Sequence, residues 1–397
     1  MQYPVAPPTI QKPAGLLKVR VETLRYVLGA WSGPFPSMDS PQTLVLVFGA
    51  SELGEREELF NRLAGEYPES QLIGCSTAGE IQQERIWDGS LMVAIVQFER
   101  TKVRHAHAMI ERAKDSYTAG RELAAQLRAP ETSLEELRAV FVLSCGTDVN
   151  GSELVRGLNA RLPSHVVVTG GLAGDGDRFG ETWVMANGRT SPGAAVAIGL
   201  YGDSVRISCG TQGGWDTAGF DSVVTSARGN MIYELDGKPA LERYKEALGA
   251  RAVELPASAL EFPLEMKGDD GNPVLRTVLG IDASLQALVL GGEIPTGTRV
   301  TVMQASRDRL IFGAHVAGHA AFGEHQGPTL ALTVSCVGRR LVLGERAHEE
   351  VAATLHRLPR GTQQVGFYAY GEVASAQDSR HAHLHNQTMT LTVLSEV

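Results

Sequence analysis

The stretch TLVLVFGASELGEREELFNRLAGEYPESQLIGCSTAGE (43–80) decides the fold class of this sequence. It opens with an apolar run that ends in small residues, which is typical of a buried strand, and Leu59 and Leu63 then recur at helical spacing. A second strand follows at QLIGC (71–75). The order strand, helix, strand predicts a parallel crossover unit whose loops lie at the strand ends.

The same order of elements returns about 95 residues later, and TAGE (77–80) superposes on LAGD (172–175). Beyond these loops, LMVAIVQFERTKVRHAHA (91–108) resembles AAVAIGLYGDSVRISCGT (194–211). We therefore predict an internal β-α-β-β-β duplication over about residues 43–110 and 139–212. Duplicated units commonly pack about a pseudo-twofold axis, so this is the arrangement we expect.

The domain organisation follows from changes in composition along the chain. Residues 1–40 carry six prolines and indicate an N-terminal arm. The duplicated region predicts an N-terminal domain at residues 41–226. Residues 227–397 predict a C-terminal domain that contains hairpins between turn-forming glycines. Because strands occur both in crossovers and in hairpins, the predicted fold class is α+β, with two domains of mixed β-sheets and flanking helices.

Composition excludes several classes of function. The net charge of -9 and the pI near 5.7 offer no basic surface for nucleic acid. The four cysteines lie far apart without a CxxC pair, which fits a reduced, cytoplasmic protein. The sequence contains no long apolar segment, so we expect no membrane association.

The loop around Cys75 allows three interpretations. Cys75 could be the nucleophile of a thiol-dependent enzyme, Thr77 and Glu80 have the spacing of a helix capping box, or the glycine-rich loops 74–80 and 170–176 could lie side by side and bind a ligand. Glu80 and Asp175 would favour an amine or a cation. The sequence shows no known catalytic motif, so we expect a protein that is not an enzyme.

The C-terminal region supplies further polar candidates. YAYGEV (368–373) and LHNQTMTLT (384–392) place polar residues in strands that should otherwise alternate, so they form a pocket wall or tie two strands together. Histidines cluster in HAHLH (381–385), and His315 and His319 are spaced four apart on a predicted helix. Either group could hold a metal.

Several long motifs resemble the FIST family (F-box and intracellular signal transduction). The resemblance covers about residues 40–395, in an N-terminal and a C-terminal FIST domain, and is carried by GCSTAGE (74–80), GGLAGDGDRFGETWV (170–184), GNMIYELDGKPALERYKEALG (229–249), SCVGRRLVLGER (335–346), GFYAYGEV (366–373) and HNQTMTLT (385–392). It implies an intracellular sensor of a small ligand, with amino acids as the proposed class. The implied partner is a separate histidine kinase or cyclic-di-GMP enzyme.

One branch of the FIST family is described as haem-binding nitric-oxide sensors that regulate a histidine kinase. This branch makes haem the cofactor to consider, with His315 as the candidate axial ligand because its neighbours in the sequence are apolar. The binding residues that we predict from the two loops and the C-terminal motifs are Gly74, Cys75, Ser76, Thr77, Glu80, Gly171, Gly174, Asp175, Tyr370, Glu372, His385 and Asn386.

Overall fold

The computed structural model describes residues 19–128, 135–268, 271–323, 325, 329–375 and 381–397, except for the side chain of Phe220. The first 18 residues of the expected N-terminal arm lie outside the described residues. Its later part forms the strands β1 (Arg20–Val27) and β2 (Ala30–Trp31). β1 pairs along its length with a strand of the first repeat, so this part of the arm belongs to a sheet.

The first unit of the duplication begins with the predicted strand, helix and strand. Its helix buries Leu59, Phe60 and Leu63 and so covers one face of the sheet. The elements are β3 (Thr43–Gly49), α1 (Glu57–Glu66), β4 (Gln71–Ser76), the hairpin β5 (Glu80–Gln82) and β6 (Arg85–Trp87), β7 (Leu91–Gln97) and β8 (Lys102–Met109).

The second unit repeats this order after the helix α2 (Ser116–Leu127). Its elements are β9 (Leu137–Ser144), α3 (Gly151–Asn159), β10 (Val167–Leu172), the hairpin β11 (Val184–Ala186) and β12 (Arg189–Ser191), β13 (Ala194–Tyr201) and β14 (Val205–Gln212). The predicted internal duplication is confirmed, and each unit contributes an additional short hairpin.

A separate sheet, which we call the inserted sheet, follows the second unit along the chain. Its elements are β15 (Asp216–Arg228), β16 (Met231–Leu235), β17 (Lys238–Pro239), α4 (Ala240–Leu248), β18 (Leu264–Lys267), β19 (Pro273–Arg276), β20 (Val278–Asp282), β21 (Ala287–Leu290) and β22 (Arg299–Gln304). The strands pair in the order β19-β18-β22-β15-β16-β21-β20.

A third copy of the unit, which the sequence analysis did not predict, completes the chain. It follows the helix α5 (Arg307–Ala321), and two helices replace the single helix of the other copies. The elements are β23 (Leu330–Cys336), α6 (Val337–Leu343), α7 (Ala347–Leu355), β24 (Gln363–Ala369), the hairpin β25 (Gly371–Ser375) and β26 (Ala382–His385), and β27 (Met389–Glu396).

The three units exchange strands in a cycle. The sheets share one strand order, namely β12-β11-β4-β3-β7-β1, β26-β25-β10-β9-β13-β8 and β6-β5-β24-β23-β27-β14. The hairpin of the first unit thus joins the sheet of the third, that of the second joins the first, and that of the third joins the second. The fold is α+β with mixed sheets, as predicted, but the repeats form a ring of three where we expected a pair.

Equivalent turns of the three units meet through one cycle of backbone hydrogen bonds. Ala78 N donates to Tyr368 O over 2.8 Å, Gly174 N to Ser76 O over 3.0 Å, and Tyr370 N to Leu172 O over 3.1 Å. These bonds make Ala78, Gly174 and Tyr370 equivalent. The match of TAGE with LAGD is therefore wrong by one residue, and the counterpart of Glu80 in the second unit is Gly176.

Candidate functional site

The two loops predicted to lie side by side do so, and they border one cavity. This loop cavity has a volume of about 370 Å³ and is lined by Thr77, Gly79 and Glu80 from the first loop and by Gly176 and Arg178 from the second. The loops approach closely, since a Cβ atom on Gly174 would lie 2.9 Å from the amide nitrogen of Ala78. Their position at the carboxyl ends of β4 and β10 follows from the crossover topology.

Glu80 is the buried acid of the loop cavity, with only 1% of its surface exposed. Thr77 Oγ1 donates to one carboxyl oxygen over 2.6 Å, and Ser90 Oγ donates to the other over 2.5 Å. Burial raises the pKa of Glu80 to about 7, although both hydroxyls oppose the rise. The carboxyl group therefore changes charge near neutral pH.

Thr77 and Glu80 do not cap a helix. Thr77 Oγ1 accepts a hydrogen bond from Gly79 N over 3.1 Å, which closes a tight turn, and the strand β5 begins at Glu80. The three-residue spacing that fits a capping box here lets the Thr77 hydroxyl donate to the Glu80 carboxyl group.

Asp175 and Tyr370 shape the second loop and do not line the loop cavity. Asp175 is 2% exposed and accepts hydrogen bonds from Gly180 N and Glu181 N, both over 2.9 Å. The Tyr370 hydroxyl donates to the same carboxyl group and accepts from the backbone nitrogen of Asp175. Because the carboxylate lies outside the lining of the loop cavity and is held by donors of its own loop, its role is to fix that loop.

Part of the C-terminal motif lines a different cavity. His385 and Thr388 line this motif cavity, which has a volume of about 260 Å³ and lies against Trp215. Glu372 is fully buried beside it, and its Oε2 accepts hydrogen bonds from Thr388 N over 3.1 Å and from Thr388 Oγ1 over 2.8 Å. Asn386 is also buried. The loops and the C-terminal motif therefore contribute to two cavities, where we expected one.

Glu372 is the counterpart of Glu80 in the third unit. Each glutamate lies at the same distance from its repeat glycine, Gly366 or Gly74, and each accepts a hydrogen bond from the hydroxyl residue before the next long strand. Burial raises the pKa of Glu372 to about 8. Sequence reasoning missed Ser90, and the third repeat would have identified it as the equivalent of Thr388.

Comparison with known families decides the family of the chain. The FIST N domain matches residues 43–238 and the FIST C domain matches residues 240–375. The chain belongs to the FIST family. FIST domains are associated with sensing in signal transduction.

The FIST chain is also similar to several uncharacterized proteins. One from Mycobacterium tuberculosis (strain ATCC 25618 / H37Rv) is 28% identical over 250 residues, which cover 60% of this chain and 64% of the relative. Another, from Mycobacterium bovis, is 27% identical over 256 residues, covering 60% and 64%. A third, from Methanocaldococcus jannaschii, is 23% identical over 213 residues, covering 52% and 40%. The chain thus matches less than two thirds of the length of each of these relatives.

The family motif around Cys75 serves the core of this FIST protein. Cys75 is fully buried on β4 within the largest group of packed apolar side chains, and burial raises the pKa of its thiol well above the ordinary value. Ser76 Oγ accepts a hydrogen bond from Trp183 N over 3.0 Å. Gly74 and Gly171 lie inside strands. These four residues therefore do not line the loop cavity, and Cys75 has neither the exposure nor the thiolate character that a nucleophile needs.

His315 does not fit an axial haem ligand. It lies on the partly exposed side of α5, where Arg357 Nε donates to its Nδ1 over 3.3 Å. The neighbouring Phe312 is 54% exposed, while the buried side of α5 is made of small residues and Leu310. An axial histidine needs an apolar slot, and these residues do not provide one. Within the described ranges, His, Cys, Asp and Glu form no group of three or more that could hold a metal ion.

The described helices also bear on the expectation about membranes. None of them combines the length and the apolar character needed to cross a bilayer.

Stability should fall as pH rises from about 5 to 8, because Glu80 and Glu372 hold protons in the folded state that they lose in the unfolded chain. Their folded pKa values of about 7 and about 8 lie above the ordinary value of 4.5, so this stabilisation is complete below pH 4.5 and is lost as pH rises through the folded values. The double variant Glu80→Gln/Glu372→Gln should show a flatter profile. Urea midpoints at pH 5, 6, 7 and 8 measure this, with the exposed Glu66→Gln as the control, and an unchanged slope in the double variant would contradict it.

Proposed function

We propose that this FIST protein is a non-catalytic sensor that binds a small ligand in the loop cavity and signals to a separate partner chain. One observation carries the proposal, namely that two equivalent loops of a repeat converge on a single cavity whose wall contains the buried carboxyl group of Glu80. Binding sites for small molecules are concave, and a few polar groups on a mostly apolar wall fix the orientation of the ligand.

The charge of the wall indicates which part of a ligand would bind there. Two acids of the wall are already paired, because Arg178 lies 2.7 Å from Glu52 and Arg340 lies 2.6 Å from Asp88. Among the described residues, Glu80 is the acid of the wall that forms no ion pair. A protonated amine would therefore meet carboxylate oxygens near Glu80. Amino acids and simple amines are the compounds that we propose to test first.

The strand exchange supports the signalling part of the proposal. Glu80 is the first residue of β5, and β5 pairs with β24 of the third unit, with Glu80 opposite Phe367. A ligand that moves the first loop would therefore act on a sheet in the C-terminal part of the chain, which could change the surface that a partner recognises. We propose a histidine kinase or a cyclic-di-GMP enzyme as that partner.

Glu80→Gln should weaken the binding of an amine-bearing ligand by roughly ten-fold or more, because it replaces a charged acceptor with a neutral one. In the unmodified protein, the affinity should rise between pH 6 and pH 8 as Glu80 loses its proton. Isothermal titration with L-amino acids, methylamine and putrescine measures both effects.

The exposed Glu66→Gln, on α1, is the matched control because it removes the same charge away from the cavity. Equal affinities of Glu80→Gln and the unmodified protein for every ligand that binds would remove the loop cavity from the site. Absence of binding by the whole panel would contradict the choice of an amine as the recognised group.

A further inference from the structure

A third cavity lies between the second unit and the inserted sheet. It has a volume of about 570 Å³ and is bordered by α3, by β26 and by the strands β18 and β19. We call it the insert cavity. None of its lining residues lines the loop cavity, so it is independent of the site proposed above.

The insert cavity contains a buried arginine. Arg276 is 5% exposed, and its guanidinium donates only to backbone oxygens, namely to Glu293 O over 3.1 Å, to Leu275 O over 3.2 Å and to Leu384 O over 2.9 Å. Its Nη2 has no hydrogen-bond partner within the described part of the chain. Burial lowers the pKa of Arg276 to about 10, so the side chain remains charged at neutral pH.

Arg339, the other buried arginine among the described residues, shows what Arg276 lacks. Arg339 forms an ion pair of 2.8 Å with Glu350, and both side chains are completely buried. Among the described residues, Arg276 forms no such ion pair, and the carboxylate of Glu293 only acts on it electrostatically without coming within ion-pair distance. A buried charge is normally paired because its transfer out of water is costly. The cavity beside Arg276 is the place from which an anionic partner would approach.

The remaining wall matches a short apolar chain that carries a polar head. Ser152 Oγ is buried and has no hydrogen-bond partner among the residues that the structure describes, so it can donate to a second oxygen of a bound anion. Val155, Met266, Val274 and Leu384 supply apolar surface on the same cavity. Polar side chains, among them Asn159 and His383, form the rest of the lining, and the apolar part of the wall can pack against a short aliphatic tail.

The acidic residues of the cavity limit the charge of the ligand. Glu153 and Glu293 also line the wall. Glu153 is paired with Arg156 of the same wall over 2.9 Å, so Glu293 is the acid that raises the electrostatic cost of a further negative charge there. Glu293 is held by Asn150 Nδ2 over 2.7 Å. A single carboxylate matches the charge of Arg276, whereas a doubly charged phosphate or dicarboxylate would place a second negative charge near Glu293.

We propose that the insert cavity binds a small aliphatic monocarboxylate, whose carboxylate group contacts Arg276 and Ser152 and whose tail packs on the apolar wall. Binding neutralises the charge of Arg276 and fixes the inserted sheet against the second unit.

Isothermal titration of the full chain with hexanoate tests the proposal, with hexylamine, hexanol and inorganic phosphate as comparison ligands. Hexanoate should bind, and the three comparison ligands should bind at least ten-fold more weakly. Arg276→Met should weaken hexanoate binding by roughly ten-fold or more, because it removes the charged donor. Glu293→Gln should tighten hexanoate binding several-fold, because it removes a repelling charge and retains an acceptor for Asn150.

Ser152→Met provides a second variant that fills the cavity and leaves Arg276 in place, so the test does not depend on Arg276→Met folding. Circular dichroism of each variant identifies those that retain the fold. Binding of hexanoate that is unaffected in folded Ser152→Met and in Glu293→Gln would overturn the proposal. Absence of binding to the unmodified protein, or equal binding of hexanoate and hexylamine, would also overturn it.

Discussion

Arg339→Met is expected to lower the free energy of unfolding by about 3–5 kcal/mol, because it leaves the buried carboxylate of Glu350 without its cation. Arg339 donates to Glu350 through Nε over 3.0 Å and Nη2 over 2.8 Å. It also donates to the backbone oxygens of Leu310 and Gln387. The side chain thus connects α5, α7 and the start of β27.

The double variant Arg339→Met/Glu350→Leu separates the charge from the packing. It removes both ions, so it should recover part of the stability that the single variant loses, although Ser335 and Tyr368 then lose their acceptor. Urea midpoints followed by far-ultraviolet circular dichroism compare the three proteins. A single variant that is as stable as the unmodified protein would show that the ion pair contributes nothing.

Gly170→Ala is expected to lower the free energy of unfolding by roughly 3 kcal/mol or more, because it combines a steric clash with a strained backbone. A Cβ atom at this position would lie 1.8 Å from Val142 O on the neighbouring strand, and the φ angle of Gly170 is +143°. The equivalent glycine of the third unit, Gly366, would place a Cβ 1.8 Å from Thr333 O. Both glycines allow the central parallel strands to pack at this point.

Gly65→Ala is the matched control for this substitution. Gly65 lies in α1, and a Cβ there would meet no atom within 4 Å. The same chemical change should therefore stabilise the protein by about 0.5–1 kcal/mol, because alanine favours a helix. Opposite shifts of the two urea midpoints are expected. A Gly170→Ala variant with the midpoint of the unmodified protein would refute the steric argument.

The first two units could be predicted from the sequence because their determinants are local. An apolar run, a helical repeat and a second apolar run follow one another within about forty residues in each unit. The third unit was missed because two helices separate its strands and because 94 residues of inserted structure, from 213 to 306, come before it. The sequence does not predict which sheet each hairpin joins. A three-residue strand such as Glu80–Gln82 is too short for its pattern to specify pairing with residues near 365.

The candidate site was predictable in part for the same reasons. The positions of Thr77, Glu80 and the second loop follow from strand ends, which the apolar pattern marks. The burial of Cys75 does not follow from the apolar pattern. β4 is covered on both faces, so its sequence shows no alternation that would mark one face as buried. Arg276 could not be singled out, since an arginine in a predicted hairpin is normally exposed. It is buried where the inserted sheet lies against β26, and its Nη1 donates to Leu384 O there.

Because the three units exchange hairpins around the ring, neither half of the chain has all the strands that its sheets need to fold alone. A fragment that ends after the second unit would leave β4 paired with β11 but would deprive β10 of β25, and its own β5 would have no sheet to join. Each half would present unsatisfied backbone edges to the solvent. The two family domains are thus separate segments of the sequence but not separately folding units. We expect the whole ring to unfold cooperatively.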